Sequence, residues 1–242
     1  MERIEIFEHN IPNIGLFTRT ATQGEEIELV KEFIEYYCSK FLKDNKVYNL
    51  AVFIEPRVSS GFPDIVFATY SPDIMENWSK EREKLDIFDL KVLSHLYLSK
   101  GCTGEQLINT LKLPEKQILK SIECLIDAKM ITRVNGKWKA EKLKNIYSIK
   151  KLVSVEAKIS DMKKVAEQSL INTWFASQSY ALTNIERPQE VTLNNFQKQG
   201  VGLYCKRNGF RKVVEAQKLA LPSSYLSLQF NEWIGKSVAS GC

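Results

Sequence analysis

Two short acidic motifs, far apart in this 242-residue chain, carry residue types that can do chemistry: Pro63-Asp64 and Glu156-Ala157-Lys158, each joined to an apolar, strand-like run. Two carboxylates with an ammonium beside them suit a site that holds a hard divalent cation and hydrolyses a phosphodiester bond. Mg²⁺ or Mn²⁺ prefers oxygen donors, so Asp64 and Glu156 are the expected metal ligands, completed by water and a phosphate oxygen. Such a cation activates water near neutral pH and offsets the charge that develops on the phosphate. Lys158 can orient the attacking water, stabilise transition-state charge, or act as a base.

Taken singly, each motif is common. Pro72-Asp73 repeats the dipeptide, and Asp44-Asn45-Lys46, Asp127-Ala128-Lys129 and Asp161-Met162-Lys163 repeat the acidic-x-Lys spacing. Context separates them. Asp64 opens an expected strand and Glu156 lies inside one, whereas Asp73 falls in a polar linker and Asp44 and Asp127 fall at expected helix ends. In a strand, Glu156 and Lys158 project from one face and Ala157 from the other. A charged pair within an apolar strand needs partners, because unpaired buried charge is costly. A cation shared with Asp64 supplies one; the plainer alternative is a turn aspartate and a structural ion pair on a sheet.

The elements that must position these groups follow from periodicity. Ile27, Val30, Ile34, Tyr37 and Phe41 recur at helical spacing and predict a helix from Thr22 to about Lys43. Val47 to Ile54 and Asp64 to Tyr70 are β-branched and aromatic runs, read as neighbouring strands joined by the loop Glu55 to Pro63. After the polar stretch Ser71 to Lys84 the pattern turns helical. One helix carries Phe88, Val92, Leu93, Leu96 and Tyr97, a second starts near Thr103, and a third has Pro114 and Glu115 in its first turn. Asn135-Gly136 between Met130–Val134 and Lys137–Ala140 predicts a two-strand ribbon. Three helices and a ribbon are the order of a winged helix-turn-helix. Beyond it, Lys151 to Ile159 reads as a strand, Asp161 to Ala176 as a helix and Ser179 to Thr183 as a strand. A helix over 191–199 and strands over 201–205 and 211–216 follow, and the tail from Leu219 has no clear reading.

The order helix, strand pair, acidic-x-Lys strand, helix, strand resembles the PD-(D/E)xK nuclease superfamily on both sides of the helical insertion. The resemblance implies an α/β fold: a restriction-endonuclease-like mixed sheet flanked by helices and interrupted by a winged helix-turn-helix. It divides the chain into 1–84 (core, first part), 85–146 (inserted domain) and 147–242 (core, second part). It also implies a Mg²⁺- or Mn²⁺-dependent DNA endonuclease. Gly24 followed by Glu28 looks like the first-helix acidic residue that many members use as an additional metal ligand, notably those similar to archaeal Holliday-junction resolvases. Gln168 resembles the glutamine that some members place near the site. The chain departs from the family in separating Asp64 from Glu156 by a whole module, which the sheet tolerates if the module's ends lie close together.

The third helix of the module carries Lys116, Gln117, Lys120 and Ser121 on its non-apolar side, the position of a major-groove reading helix. Arg133, Lys137 and Lys139 bracket the ribbon tip, and Lys163 and Lys164 lie on the helix after Glu156; all are expected phosphate contacts. Between Asp86 and Lys144 there are 11 Lys/Arg against 7 Asp/Glu, a modest excess that suits DNA. A homodimer is one arrangement for cutting both strands. Two rivals stand beside the enzyme: a non-catalytic DNA-binding regulator on a nuclease-like scaffold, and an interaction module that binds no DNA.

Composition narrows the classes. The net charge of +5 is compatible with a polyanionic partner without requiring one. Five cysteines with no CxxC spacing, and His9 and His95 alone to join them, support neither a zinc site nor a disulfide framework. Reduced thiols are expected. No apolar run reaches the ~20 residues that span a bilayer, and acidic residues stand in MERIEIFEHN where a secretory signal is basic, so a cytoplasmic protein without membrane contact is expected.

Overall fold

The computed structural model describes residues 3–19 and 24–241. The expected helix start at Thr22, and Cys242, lie outside the described residues. In chain order the elements are β1 (Ile4–Phe7), α1 (Glu25–Asp44), β2 (Asn49–Ile54), β3 (Ile65–Tyr70), α2 (Ile87–Leu98), α3 (Gly104–Leu111) and α4 (Glu115–Asp127). They continue as β4 (Ile131–Val134), β5 (Lys137–Ala140), α5 (Leu143–Ile146), β6 (Ile149–Ala157), α6 (Met162–Asn172), β7 (Gln178–Thr183), α7 (Glu190–Lys198), β8 (Gly202–Lys206), β9 (Phe210–Val214) and α8 (Tyr225–Ser240). They form two compact units, Met1–Pro72 with Ile149–Ser223, and Asp73–Ser148 with Ser224–Cys242.

The first unit is an α/β structure built on a mixed seven-stranded sheet in the order β1-β2-β3-β6-β7-β8-β9. β2, β3 and β6 pair antiparallel, β6, β7 and β8 run parallel, and β9 returns antiparallel at the edge. Every residue of β3 and β7 is buried, as strands covered on both faces should be. Leu29, Val30, Phe33 and Ile34 of α1 pack on Val52, Phe67, Val153, Val155 and Ala157 on one face. Val165 and Ala166 of α6 and Phe196 of α7 pack on Ala181, Leu203 and Cys205 on the other. Alternation along β6 therefore turns Val153, Val155 and Ala157 to α1 and leaves Ser154 and Glu156 on the α6 side. There the Ser154 and Ser179 hydroxyls are 2.9 Å apart, and Ser179 donates to the Ser169 carbonyl on α6 at 2.6 Å.

Tyr70 pairs with Ile149, so the chain leaves the sheet and returns to it at neighbouring points. That adjacency lets a long segment intervene between two paired strands. β1 was not legible as a strand; it gains its order by pairing parallel with β2, Ile4 to Leu50 through Phe7 to Phe53.

The second unit has three helices followed by a two-stranded ribbon. Asp86 caps α2 and Thr103 caps α3, each with a reciprocal bond from the third helical residue. Asn135 (φ 51°) and Gly136 (φ 74°) supply the two left-handed residues that a tight β4–β5 turn requires. Residues 73–84 and 224–241 group with this unit and not with the sheet, which corrects the expected assignment of 1–84 and 147–242 to the core for those stretches. The reason is packing: α8 lies on α2 and buries Leu226, Leu228, Phe230, Trp233 and Ile234. Its Glu232 also forms a buried ion pair with Arg82, Oε1 to Nη2 at 2.5 Å and Oε2 to Nε at 3.1 Å.

Candidate active site

β3 and β6 run antiparallel with Ile65 opposite Val155 and Val66 opposite Ser154. Asp64 immediately precedes β3 and Glu156 lies near the end of β6, and the two carboxylates are close enough to repel one another. The Asp64 carboxylate accepts a hydrogen bond from the Ala157 amide at Oδ2, 2.7 Å, which fixes it against β6. Glu156 is buried, and its Oε1 accepts from the Asn172 amide at 2.7 Å. Two residues more than ninety positions apart in the chain thus meet because β3 and β6 are neighbours. The second oxygen of each carboxylate, Asp64 Oδ1 and Glu156 Oε2, makes no hydrogen bond to a described residue.

Lys158 follows the last residue of β6, and its amide continues the ladder to the Leu182 carbonyl at 2.9 Å. Its ammonium reaches the Glu26 carboxylate on α1 at 2.5 Å. Arg19 is ion-paired with Glu55, and the two backbones are also joined by the Arg19 amide to the Glu55 carbonyl at 3.1 Å. Glu55 ends the strand β2 in a left-handed conformation (φ 45°), uncommon for a non-glycine residue, and its amide bonds the Asp64 carbonyl at 3.0 Å. Asn172, Glu26, Glu55 and Arg19 were all missed by reading the sequence. Nothing in their local spacing marks them; each is brought in by a different element.

The electrostatics are those of crowded, desolvated acids. Burial, then repulsion by Asp64, pushes the Glu156 carboxyl up to about 8, against the opposing pull of Asn172, Lys158 and Arg19. Burial also raises Asp64, opposed by the Ala157 amide and Lys158. Arg19 is held above its ordinary value first by its bond to Glu55, with Asp64 and Glu156 adding to it. The pair therefore retains a proton near neutral pH that a cation could displace.

The donor set fits a dication held by two carboxylates with water and phosphate making up the rest, the usual manner for Mg²⁺. Gln168 Oε1, on α6 one turn before Asn172, is buried and has no hydrogen-bond partner among the described residues. Among the described residues no group of three His, Cys, Asp or Glu side chains is arranged to hold a metal ion. Glu28 is exposed on α1, and its carboxylate forms no hydrogen bond or ion pair with a described residue. Residues 26 and 28 lie about 200° apart around a helix, so Glu26 and Glu28 leave α1 in different directions.

Of the expected DNA contacts, Lys116 and Lys120 are exposed on α4 and Gln117 is half-buried. Ser121 is corrected: it is buried, and its hydroxyl bonds Asp89 of α2, so it cannot read a base. Arg133 and Lys137 are exposed on the ribbon, with Arg133 5.3 Å over the Trp138 ring. Lys139 is half-buried, its aliphatic stem beside Gly101. Lys163 and Lys164 are exposed in the first turn of α6. Cys38, Cys102, Cys124 and Cys205 are free thiols, and no helix among the described residues is long and apolar enough to cross a membrane.

Compared with protein-family models, curated proteins and solved structures, the chain matches none of them.

Proposed function

We propose that this chain is a divalent-metal-dependent DNA endonuclease with a restriction-endonuclease-like core, interrupted by a winged helix that helps to bind DNA. The observation that carries the reading is the Asp64 carboxylate held on the Ala157 amide, between Glu156 and Lys158 in sequence and within charge range of both. When bound, Mg²⁺ or Mn²⁺ would supply Lewis-acid stabilisation of the phosphate and a water of lowered pKa. Asp64, pinned by the Ala157 amide, and Glu156, oriented by Asn172, would hold it. One hydrogen bond restrains each carboxylate, which would lower the cost of ordering them for in-line hydrolysis. Lys158 would exchange Glu26 for the scissile phosphate or the attacking water, so Glu26 holds the ammonium in place between turnovers. Gln168 would donate its amide or accept from a water at the rim of the site.

The Lys158–Glu26 pair also favours a second reading, a regulator that binds DNA on this scaffold without cutting it. Plasmid nicking separates the two. With Mg²⁺ or Mn²⁺ the enzyme converts supercoiled DNA to open circles, and Asp64→Asn or Lys158→Ala abolishes this; DNA retardation without nicking in either metal supports the regulator.

A further inference from the structure

At the opposite end of β6 from the carboxylates, the first unit contains a cavity of about 380 Å³ into which Lys40 of α1, Lys150 and Lys151 of β6 and Lys212 of β9 open, with Tyr48 and Tyr204 in its wall. Two consecutive strand residues cannot ordinarily line one cavity, because their side chains point to opposite faces. Here the register between β3 and β6 shifts: Thr69 pairs with Lys151 and Tyr70 with Ile149, leaving Lys150 without a partner. A β-bulge of this kind re-aims a side chain, and bulges gather where a strand does more than pair. Lys151 and Glu156 are five positions apart along β6, about 17 Å at ~3.3 Å per residue. Lys151 shares the α1 face with Val153 and Val155, whereas Glu156 is on the α6 side.

The charge is not balanced internally. Lys212 pairs with Glu215, and Asp44 stands at the rim, but Lys40, Lys150 and Lys151 form no ion pair among the described residues. Although Lys151 is exposed by area, the protein packed around its ammonium, followed by repulsion from Lys212, lowers its pKa, with Lys218 and Lys40 adding and Glu215 opposing. A phosphate would relieve that repulsion, and lysines bind phosphate as point charges. Tyr204 is packed against Phe33 and Tyr180, whereas the half-buried Tyr48 lines the wall and offers an aromatic surface beside the lysines.

We propose that this bulge-built pocket is a second anion site that binds the phosphate of a nucleotide, either free or within a nucleic-acid strand. It stands independently of the cleavage reading.

The test is binding in EDTA, where no metal can bridge phosphate to Asp64 and Glu156. The full chain is titrated with AMP, with ATP and with a fluorescein-labelled ten-nucleotide oligothymidylate, following heat or anisotropy. Saturable, salt-weakened binding of at least one probe is expected, at least tenfold weaker in Lys150→Glu/Lys151→Glu and unchanged in Glu156→Gln. Binding of AMP or ATP identifies a free nucleotide, and binding of the oligonucleotide alone identifies a strand. No binding of any probe, or binding that the double substitution leaves intact, overturns the proposal. Circular dichroism checks the variant's fold; if it is lost, Lys40→Ala, at an exposed helix position, replaces it and should weaken binding at least threefold.

Discussion

Asn172 donates its amide to Glu156 at 2.7 Å, a neutral side chain that stabilises the ionised form of that buried carboxyl. Replacing it with alanine leaves Glu156 more strongly protonated. At neutral pH a divalent cation must displace that proton, so Asn172→Ala should weaken Mn²⁺ binding by about 10-fold or more, the usual cost of losing an outer-shell partner. Calorimetric titration at pH 7 and pH 9 checks this. The deficit should shrink at pH 9, where the proton is already gone, and a deficit equal at both values contradicts the mechanism.

Stability should carry the same signature. The folded carboxyl of Glu156 is raised from 4.5 to about 8, so the folded state holds a proton that the unfolded chain has released. Its contribution is fully present below about pH 4.5 and is lost as pH rises through 8. Asp64, also raised by burial, adds in the same direction. In metal-free buffer, Glu156→Gln should therefore flatten the fall in urea midpoint between pH 5 and pH 8. A wild-type slope no steeper than the variant's argues against a protonated Glu156.

The second unit separates two kinds of polar residue on α4. Lys116 and Lys120 are exposed, so Lys116→Ala and Lys120→Ala should each lower the salt dependence of DNA binding by about one unit of slope. Ser121 is buried against Asp89, so Ser121→Ala should leave DNA binding unchanged and cost about 1 kcal/mol of stability. Anisotropy over a salt series distinguishes the two, and a Ser121 effect on affinity at constant stability would count against the helix packing described above.

Arg82 and Glu232 are both almost fully buried, and the guanidinium also lies 4.3 Å from the Trp78 ring centre and bonds the Ile146 carbonyl. Removing the arginine strands a buried carboxylate, which costs about 3–5 kcal/mol. Arg82→Ala should lower the melting temperature by several degrees, and Arg82→Met with Glu232→Leu should recover much of the loss. If the double variant is no better than the single one, packing and not stranded charge sets the cost.

Much of this arrangement was legible in the sequence, for reasons that particular residues make clear. Strands covered on both faces read as apolar runs, so the strand over Ile65–Tyr70 stood out, and Asn135-Gly136 fixed the ribbon turn. Asp64, Glu156 and Lys158 were legible because charge inside apolar strands is conspicuous. β1 was not, since four residues with Glu5 among them show no pattern until β2 pairs with them. α8 escaped because it is buried nearly all round, with Asn231 and Glu232 inside, and so lacks an apolar stripe. Choosing between Glu26 and Glu28 needs the rotation of α1 about its axis, which adjacent glutamates do not reveal. Ser121 reads as surface by polarity and is interior by position, because its partner Asp89 lies on another helix. Arg19 and Glu55 come together only through the pairing of backbone segments 17–19 and 55–57.

Asp64 and Glu156 are proposed to hold one divalent cation between them. Calorimetric titration of Mn²⁺ into the metal-free full chain at pH 8 tests it most directly, with Asp64→Asn and Glu156→Gln in parallel. One site per chain is predicted, lost or weakened by at least tenfold in either variant. No Mn²⁺ binding by the wild type, or binding that survives both substitutions unchanged, would contradict the claim.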